Sequence, residues 1–163
     1  MLNADPRVMA YFPDILDREQ SDLLAARIRK GLADREFGLW ALEVPGIADF
    51  VGFAGLSVAT FEAHFTPCVE IGWRLAFDHW GKGYASEAAS AALAYAFGSL
   101  GLQEVVSFST SANRRSIAVM QRIGMTRSPE DDFSYPTLPA EHRFRPHVLY
   151  RVKRSDWTDL KRR

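Results

Sequence analysis

Between Glu70 and Phe97 the chain runs without a break from a strand pattern, through two closely spaced glycines, into its clearest helix. Cys68 to Phe77 is rich in β-branched and aromatic residues, which predicts a strand. After Gly81 and Gly83 the apolar period changes. Ala85, Ala88, Ala89, Ala92, Leu93, Ala96 and Phe97 recur at helical spacing, and Gly98 and Gly101 end the helix. Its small side chains let the helix axis lie close to a sheet. Glycines between the two elements allow backbone N–H groups to turn toward a ligand. At a helix N-terminus such unpaired donors, with the positive dipole end, make a pyrophosphate site without a large basic patch, and Lys82 adds a local charge. An ordinary glycine turn is the plainer reading of the same residues.

Two familiar nucleotide loops do not fit. A P-loop needs Ser or Thr directly after its lysine, and Lys82 is followed by Gly83. A dinucleotide fingerprint starting at Gly81 needs Gly or Ala three residues after Gly83, where Ser86 stands.

The remaining segments predict a mixed sheet. Ala4 to Tyr11 reads as a short helix ended by Pro13, and Asp17 to Arg35 as a second helix with Leu23, Leu24, Ile28 and Leu32 inward. Phe37 to Val44 and Phe50 to Thr60 form an antiparallel hairpin about Pro45-Gly46, with Phe61 to Pro67 leading to the third strand. Val105 to Thr110 is a buried strand. Ser111 to Ile123 is helical, with Ile117, Met120 and Ile123 inward and Gly124 as a left-handed cap. A short strand starts near Met125, Ser128 to Pro146 is a long ordered loop, and His147 to Lys153 is the last strand. Three mainly antiparallel strands followed by alternating strands and helices give an α/β (α+β) fold, not a uniform doubly wound one.

Composition narrows the class of partner. The 163 residues are 47% apolar and 25% charged, enough for one domain, 1–163, with a proper core. Twenty basic and twenty acidic residues cancel, so no global field recruits nucleic acid or a membrane surface. Cys68 is the sole cysteine, and Asp5 and Arg7 stand where a signal peptide would be apolar, which makes a cytoplasmic location the expectation. Ala88 to Gln103, the longest uncharged stretch, falls short of the ~20 apolar residues of a membrane span.

A second motif follows the next strand: Asn113-Arg114-Arg115-Ser116, then Met120-Gln121-Arg122-Ile123-Gly124-Met125. With Trp80, Gly81, Lys82, Gly83, Tyr84, Ala85 and Glu87, it makes the sequence from Asp5 to Arg154 resemble the GNAT-superfamily N-acetyltransferases, in particular the RimJ/RimL-like branch. That branch acetylates protein N-termini and other amines with acetyl-CoA. The resemblance implies a mostly antiparallel sheet flanked by helices, with splayed central strands. Backbone donors from Gly81 to Ala85 would hold the pyrophosphate of coenzyme A, with Lys82 near its phosphates. Trp80 stands where many superfamily members place glutamine or arginine, as it does in this branch. Asn113 and Ser116 would hydrogen-bond the pantetheine arm, although Asn113 also reads as a plain helix N-cap. Trp73, Arg74 and Leu75 lie on the strand expected to splay from Val105–Thr110 and to pair with the pantetheine amides like an added strand. No metal is implied.

Two features depart from the family pattern. A tyrosine often placed seven residues after the helix asparagine is Met120 here, so no side-chain acid is assigned. The thiolate leaves readily all the same, its conjugate acid having a pKa of ~8.5. The usual first strand is also absent from the sequence, so the expectation is either an upstream start or a sheet edge covered by another element.

Attack on a thioester requires a neutral amine, and therefore a base. Glu70 is the first candidate, on the resemblance to a strand glutamate of the family; pairing with Arg74 is its structural alternative. His64 reads as an exposed loop residue, while His142 and His147 flank the acceptor region. Making the neutral amine at pH 7 costs about 1 kcal/mol for an α-amine and about 4.6 for a lysine, which favours an N-terminal α-amine of a protein or peptide. A small-molecule or antibiotic amine, and a module that binds acyl-CoA without turnover, are the alternatives. A homodimer is compatible with the sequence.

Overall fold

Pro45 and Gly46 close the first hairpin, and the rest of the sheet is laid down from it. The computed structural model describes residues 2–161. Its elements are α1 (Arg18–Arg35), β1 (Leu39–Val44), β2 (Ala48–Val58), β3 (Val69–Leu75), α2 (Tyr84–Gly98), β4 (Glu104–Thr110), α3 (Arg114–Arg122), β5 (Phe133–Ser134), β6 (Pro146–Lys153) and α4 (Arg154–Lys161). The six strands lie in the order β1-β2-β3-β4-β6-β5. Every neighbouring pair is antiparallel except β3 with β4, which is parallel. This is the expected mixed sheet. β1 forms one edge, and no described strand pairs with its outer side.

One face of the sheet carries the main core. The small residues of α2, Ala89, Ala92 and Ala96, with Leu93 and Phe97, pack against Leu56, Ile71 and Val105 of three successive strands. α3 adds Met120, and its C-cap residue Ile123, to the same cluster. Burying Leu93 alone contributes about 1.5–3 kcal/mol. Strand residues alternate between faces, so Glu70, Gly72 and Arg74 of β3 point away from α2. A second cluster of Phe65, Val106 and Leu149 lies on that other side.

α1 begins at a capping box. The Asp17 carboxylate accepts from the Gln20 N–H at 2.8 Å, and the Gln20 side chain accepts from the Asp17 N–H at 3.0 Å. Its inward face is narrower than expected: Leu24, Ile28 and Leu32 are partly covered, while Leu23 is 58% exposed. Leu24, Ile28 and Leu32 follow at i, i+4 and i+8, whereas Leu23 is rotated about 100° off that stripe.

The expected helix over Ala4–Tyr11 does not form; a 3-10 turn at Leu2–Ala4 and further turns replace it. Pro6 disfavours helical geometry at Asp5, whose carboxylate instead accepts from the Arg7 N–H at 2.9 Å. The strand expected near Met125 is a single bridge, Thr126 to Arg151. The segment read as one loop holds a 3-10 turn at Pro129–Asp131 and the two-residue strand β5. α4 was not anticipated; it brings Trp157 against Phe97, ring centroids 6.1 Å apart. No described helix is long and apolar enough to cross a membrane.

Candidate active site

The loop between β3 and α2 takes its shape from two glycines. Gly81 and Gly83 have φ of 74° and 89°, the left-handed region that a side chain disfavours. A Cβ at either would meet nothing within 4 Å, so the outer side of the loop is open. Gly83 is the N-cap of α2 and supplies no side-chain cap. The first N–H groups of the helix therefore have no intrahelical acceptor and sit at its positive end. Trp80 ties the loop down: its indole N–H donates to the Leu75 carbonyl at 2.8 Å, and its ring packs on Phe77 at 5.1 Å. The Arg115 guanidinium of α3 lies 4.7 Å from the Trp80 ring centroid, and Arg122 Nη1 donates to Ser86 Oγ at 3.1 Å. With exposed Lys82, three cations surround the start of α2.

Asn113 is a cap. Its Oδ1 accepts from the Ser116 N–H at 3.3 Å, and its Nδ2 donates to Ser109 Oγ at 3.1 Å. Both ends of this amide are engaged within the chain.

Between these two helix starts the sheet opens. β3 and β4 are paired at one position only, Glu70 opposite Val106. Beyond it Ile71–Leu75 and Ser107–Thr110 have no partners across the gap, so main-chain groups are left for a ligand to pair. The Leu75 carbonyl is the exception, since Trp80 occupies it. Trp73 packs partly into the core below the gap.

Glu70 stands where the strands part. It lies opposite Ser57 of β2, whose hydroxyl hydrogen-bonds it. Burial pushes its carboxyl up to about 8, against the opposing effect of that hydrogen bond. Arg74 does not pair with it. Four residues along a strand span ~13 Å, beyond ion-pair reach. Arg74 Nη1 instead donates to Asn3 Oδ1 at 2.7 Å, and the guanidinium lies 4.0 Å from the Phe12 ring centroid and 5.4 Å from that of Phe53. Burial lowers its pKa to about 10, and its buried Nε has no partner among the described residues. Only the main chain of Arg74 remains for the gap. A Cβ at Gly72, between the two, would meet nothing nearer than Glu70 Oε1 at 3.9 Å.

The histidines separate by role. His64 is half exposed, with Nε2 3.5 Å from Asp131 Oδ1. The His142 Nδ1 accepts from the Phe144 N–H at 3.1 Å and so shapes the loop. His147 is half-buried, stacked on Tyr135 at 5.0 Å, and burial lowers its pKa. Cys68 is pushed up to about 11 by burial, with the Glu70 charge adding to the effect, which makes it a poor nucleophile. Met120 is 1% exposed in the core, directed away from the site. Ser57 and Gly72 were missed from the sequence, as were Phe61, Phe65, Phe108, Phe133 and Tyr135. Strand alternation about Glu70 was the available signal for Gly72 alone.

An uncapped helix start follows one end of the splayed strand β3, and a carboxyl group that burial raises to about 8 stands at the other. Such a gap suits an extended, phosphate-bearing acyl carrier, which places the chain among acyltransferases. Residues 1–126 match the family described as "Acetyltransferase (GNAT) domain". The chain is 33% identical over 154 residues to "Uncharacterized N-acetyltransferase YnaD" of Bacillus subtilis, covering 94% of this chain and 85% of that protein. The crystal structure of a GNAT-family acetyltransferase from Bacillus anthracis superposes with a TM-score of 0.73 at 25% identity, covering 94% of this chain and 86% of that one. Spermidine N-acetyltransferase from Vibrio cholerae, solved with CoA and spermine, shares the fold with a TM-score of 0.71 at 18% identity, covering 96% and 88%. The chain belongs to the GNAT acetyltransferase family and is an acetyl-CoA-dependent N-acetyltransferase.

Proposed function

We propose that this chain, acting as one domain, acetylates the α-amine of a peptide or protein N-terminus in the manner of the RimJ/RimL-like branch, with Glu70 as the base. The observation that carries the reading is Glu70 itself, half-buried at the point where the strands part, with Ser57 as its partner and a pKa of about 8. An α-ammonium group has a pKa of ~7.7–8.0, so the neutral α-amine and the Glu70 carboxylate become available over the same pH range, whereas freeing a lysine amine, pKa ~10.4, costs about 3 kcal/mol more.

Acetyl-CoA supplies the thioester. On this reading, the N–H groups of Gly81 to Ala85, with Lys82, hold its pyrophosphate, and the main chain of Trp73 and Arg74 pairs with the pantetheine. Asn113 fixes the start of α3, leaving the Ser116 side chain toward the same arm. Glu70 takes a proton from the amine as the nitrogen bonds to the carbonyl carbon. The C–S bond then breaks, and its electron pair leaves on sulfur.

The test is a competition between a peptide with a free N-terminus and an internal lysine and its N-terminally blocked copy. Acetylation confined to the α-amine is expected. Preferential modification of the lysine would overturn the acceptor assignment.

A further inference from the structure

This inference rests on Glu70 as the base and asks which amine reaches it. The strand register places Ser57, Glu70, Val106, Phe108, Leu149, His147 and Phe133 on one face, each opposite or two residues along from the next. Phe61 and Phe65 come to this face from the connection between β2 and β3, and Tyr135 from just after β5. Phe61 stacks on Phe133 with centroids 6.1 Å apart and planes 13° from parallel, and meets Tyr135 at 5.0 Å and Phe108 at 5.6 Å. Phe65 is buried beneath; the other rings are only half covered. A cluster serving stability alone would close over its rings, whereas this one leaves aromatic surface beside the gap. The Tyr135 phenol is raised by burial and further by the Glu70 charge, which sets the two groups close together.

The local charges complete the argument. Arg151 holds Glu104 at 2.7 Å and Asp131 at 2.8 Å, and Arg127 holds Asp132. Among the half-buried carboxyl groups of this region, Glu70 is the one that no described cation pairs. Around the wall Glu62, Glu130 and Glu141 stand exposed to solvent, while Arg145 Nη1 donates to the Leu138 carbonyl at 2.9 Å and the Arg143 guanidinium lies over Phe144.

We propose that the acceptor is a monoamine whose neighbouring carbon carries an aromatic or large apolar group, docked on Tyr135, Phe61 and Phe133 with its nitrogen at Glu70. Peptides beginning with Phe or Leu and simple arylalkylamines share this chemistry.

The experiment measures acetyl-CoA-dependent thiol release by the full chain with one peptide varied at its first residue (Phe, Leu, Gly, Asp), with 2-phenylethylamine and with spermidine. The Phe-first and Leu-first peptides should exceed the Gly-first peptide in kcat/KM by about tenfold or more, and 2-phenylethylamine should exceed spermidine likewise. Phenylethylamine outpacing every peptide would identify a small-molecule source for the same chemistry. Tyr135→Ala and Phe61→Ala should bring the Phe-to-Gly ratio toward one, mainly through KM. Thiol release indifferent to the first residue, or fastest with spermidine, overturns this inference alone. Acetyl-CoA binding with no thiol release for any amine overturns the base assignment as well. The wild-type comparison stands even where a variant fails to fold.

Discussion

Replacing Glu70 by Gln should make the protein more stable and less active, and both effects should depend on pH. A glutamate in the unfolded chain titrates near ~4.3, while burial holds the native group at about 8. Between those values the native state retains a proton that the unfolded state has released, so stability falls as pH rises through that window. Each unit contributes about 1.4 kcal/mol, and partial exposure of Glu70 reduces the whole to on the order of 2–4 kcal/mol. Glutamine keeps the neutral shape and the bond to Ser57 without that titration. Urea unfolding of both proteins at intervals from pH 4 to 9 should therefore give nearly equal stabilities at pH 4 and a widening advantage for E70Q up to pH 8. In the same pH series, log kcat/KM of the wild type should rise with a slope near two below pH 7, one unit from the base and one from the acceptor amine. In E70Q one unit should remain, and the rate at pH 8 should fall by about 10²-fold. A stability difference that is flat with pH, or an unchanged slope, would refute the reasoning.

Gly83→Val places a β-branched residue at a φ of 89° and turns the first N–H groups of α2 out of line. Acetyl-CoA affinity by calorimetry should fall tenfold or more, with the melting temperature lowered only slightly, and normal affinity would remove the pyrophosphate assignment. Arg74→Met exchanges a buried cation without a described carboxylate partner for a side chain of similar length. Stability by urea unfolding should hold within about 1 kcal/mol, or improve, because the cost of burying the charge disappears. A loss above about 3 kcal/mol would show that the Asn3 and Phe12 contacts outweigh that cost.

Much of the frame was legible because it is local. The strand, glycine loop and helix from Val69 to Gly98 are written in consecutive residues, and so is the cap at Asn113. Glu70 came forward as an expectation from the family resemblance, and alternation along β3 fixes its face. The aromatic wall was not legible, because Phe61, Phe108, Phe133, Tyr135 and His147 come from four segments that only the sheet order brings together. The N-terminal stretch Ala4–Tyr11 departs from the expected helix because Pro6 and the Asp5 carboxylate bond to the Arg7 N–H set its backbone into turns.

The lone pairing of Glu70 with Val106 also bears on how the molecule assembles. β1, β2 and β3 pair among residues 39–75, and β4, β6 and β5 among residues 104–153, so each half closes its own short-range ladder. Such blocks form early and open independently, and hydrogen exchange should resolve them as two cooperative units bridged by α2. The catalytic gap belongs to neither block. It comes into being when they dock, so recovery of activity on refolding times the docking step, after most of the sheet has gained its protection.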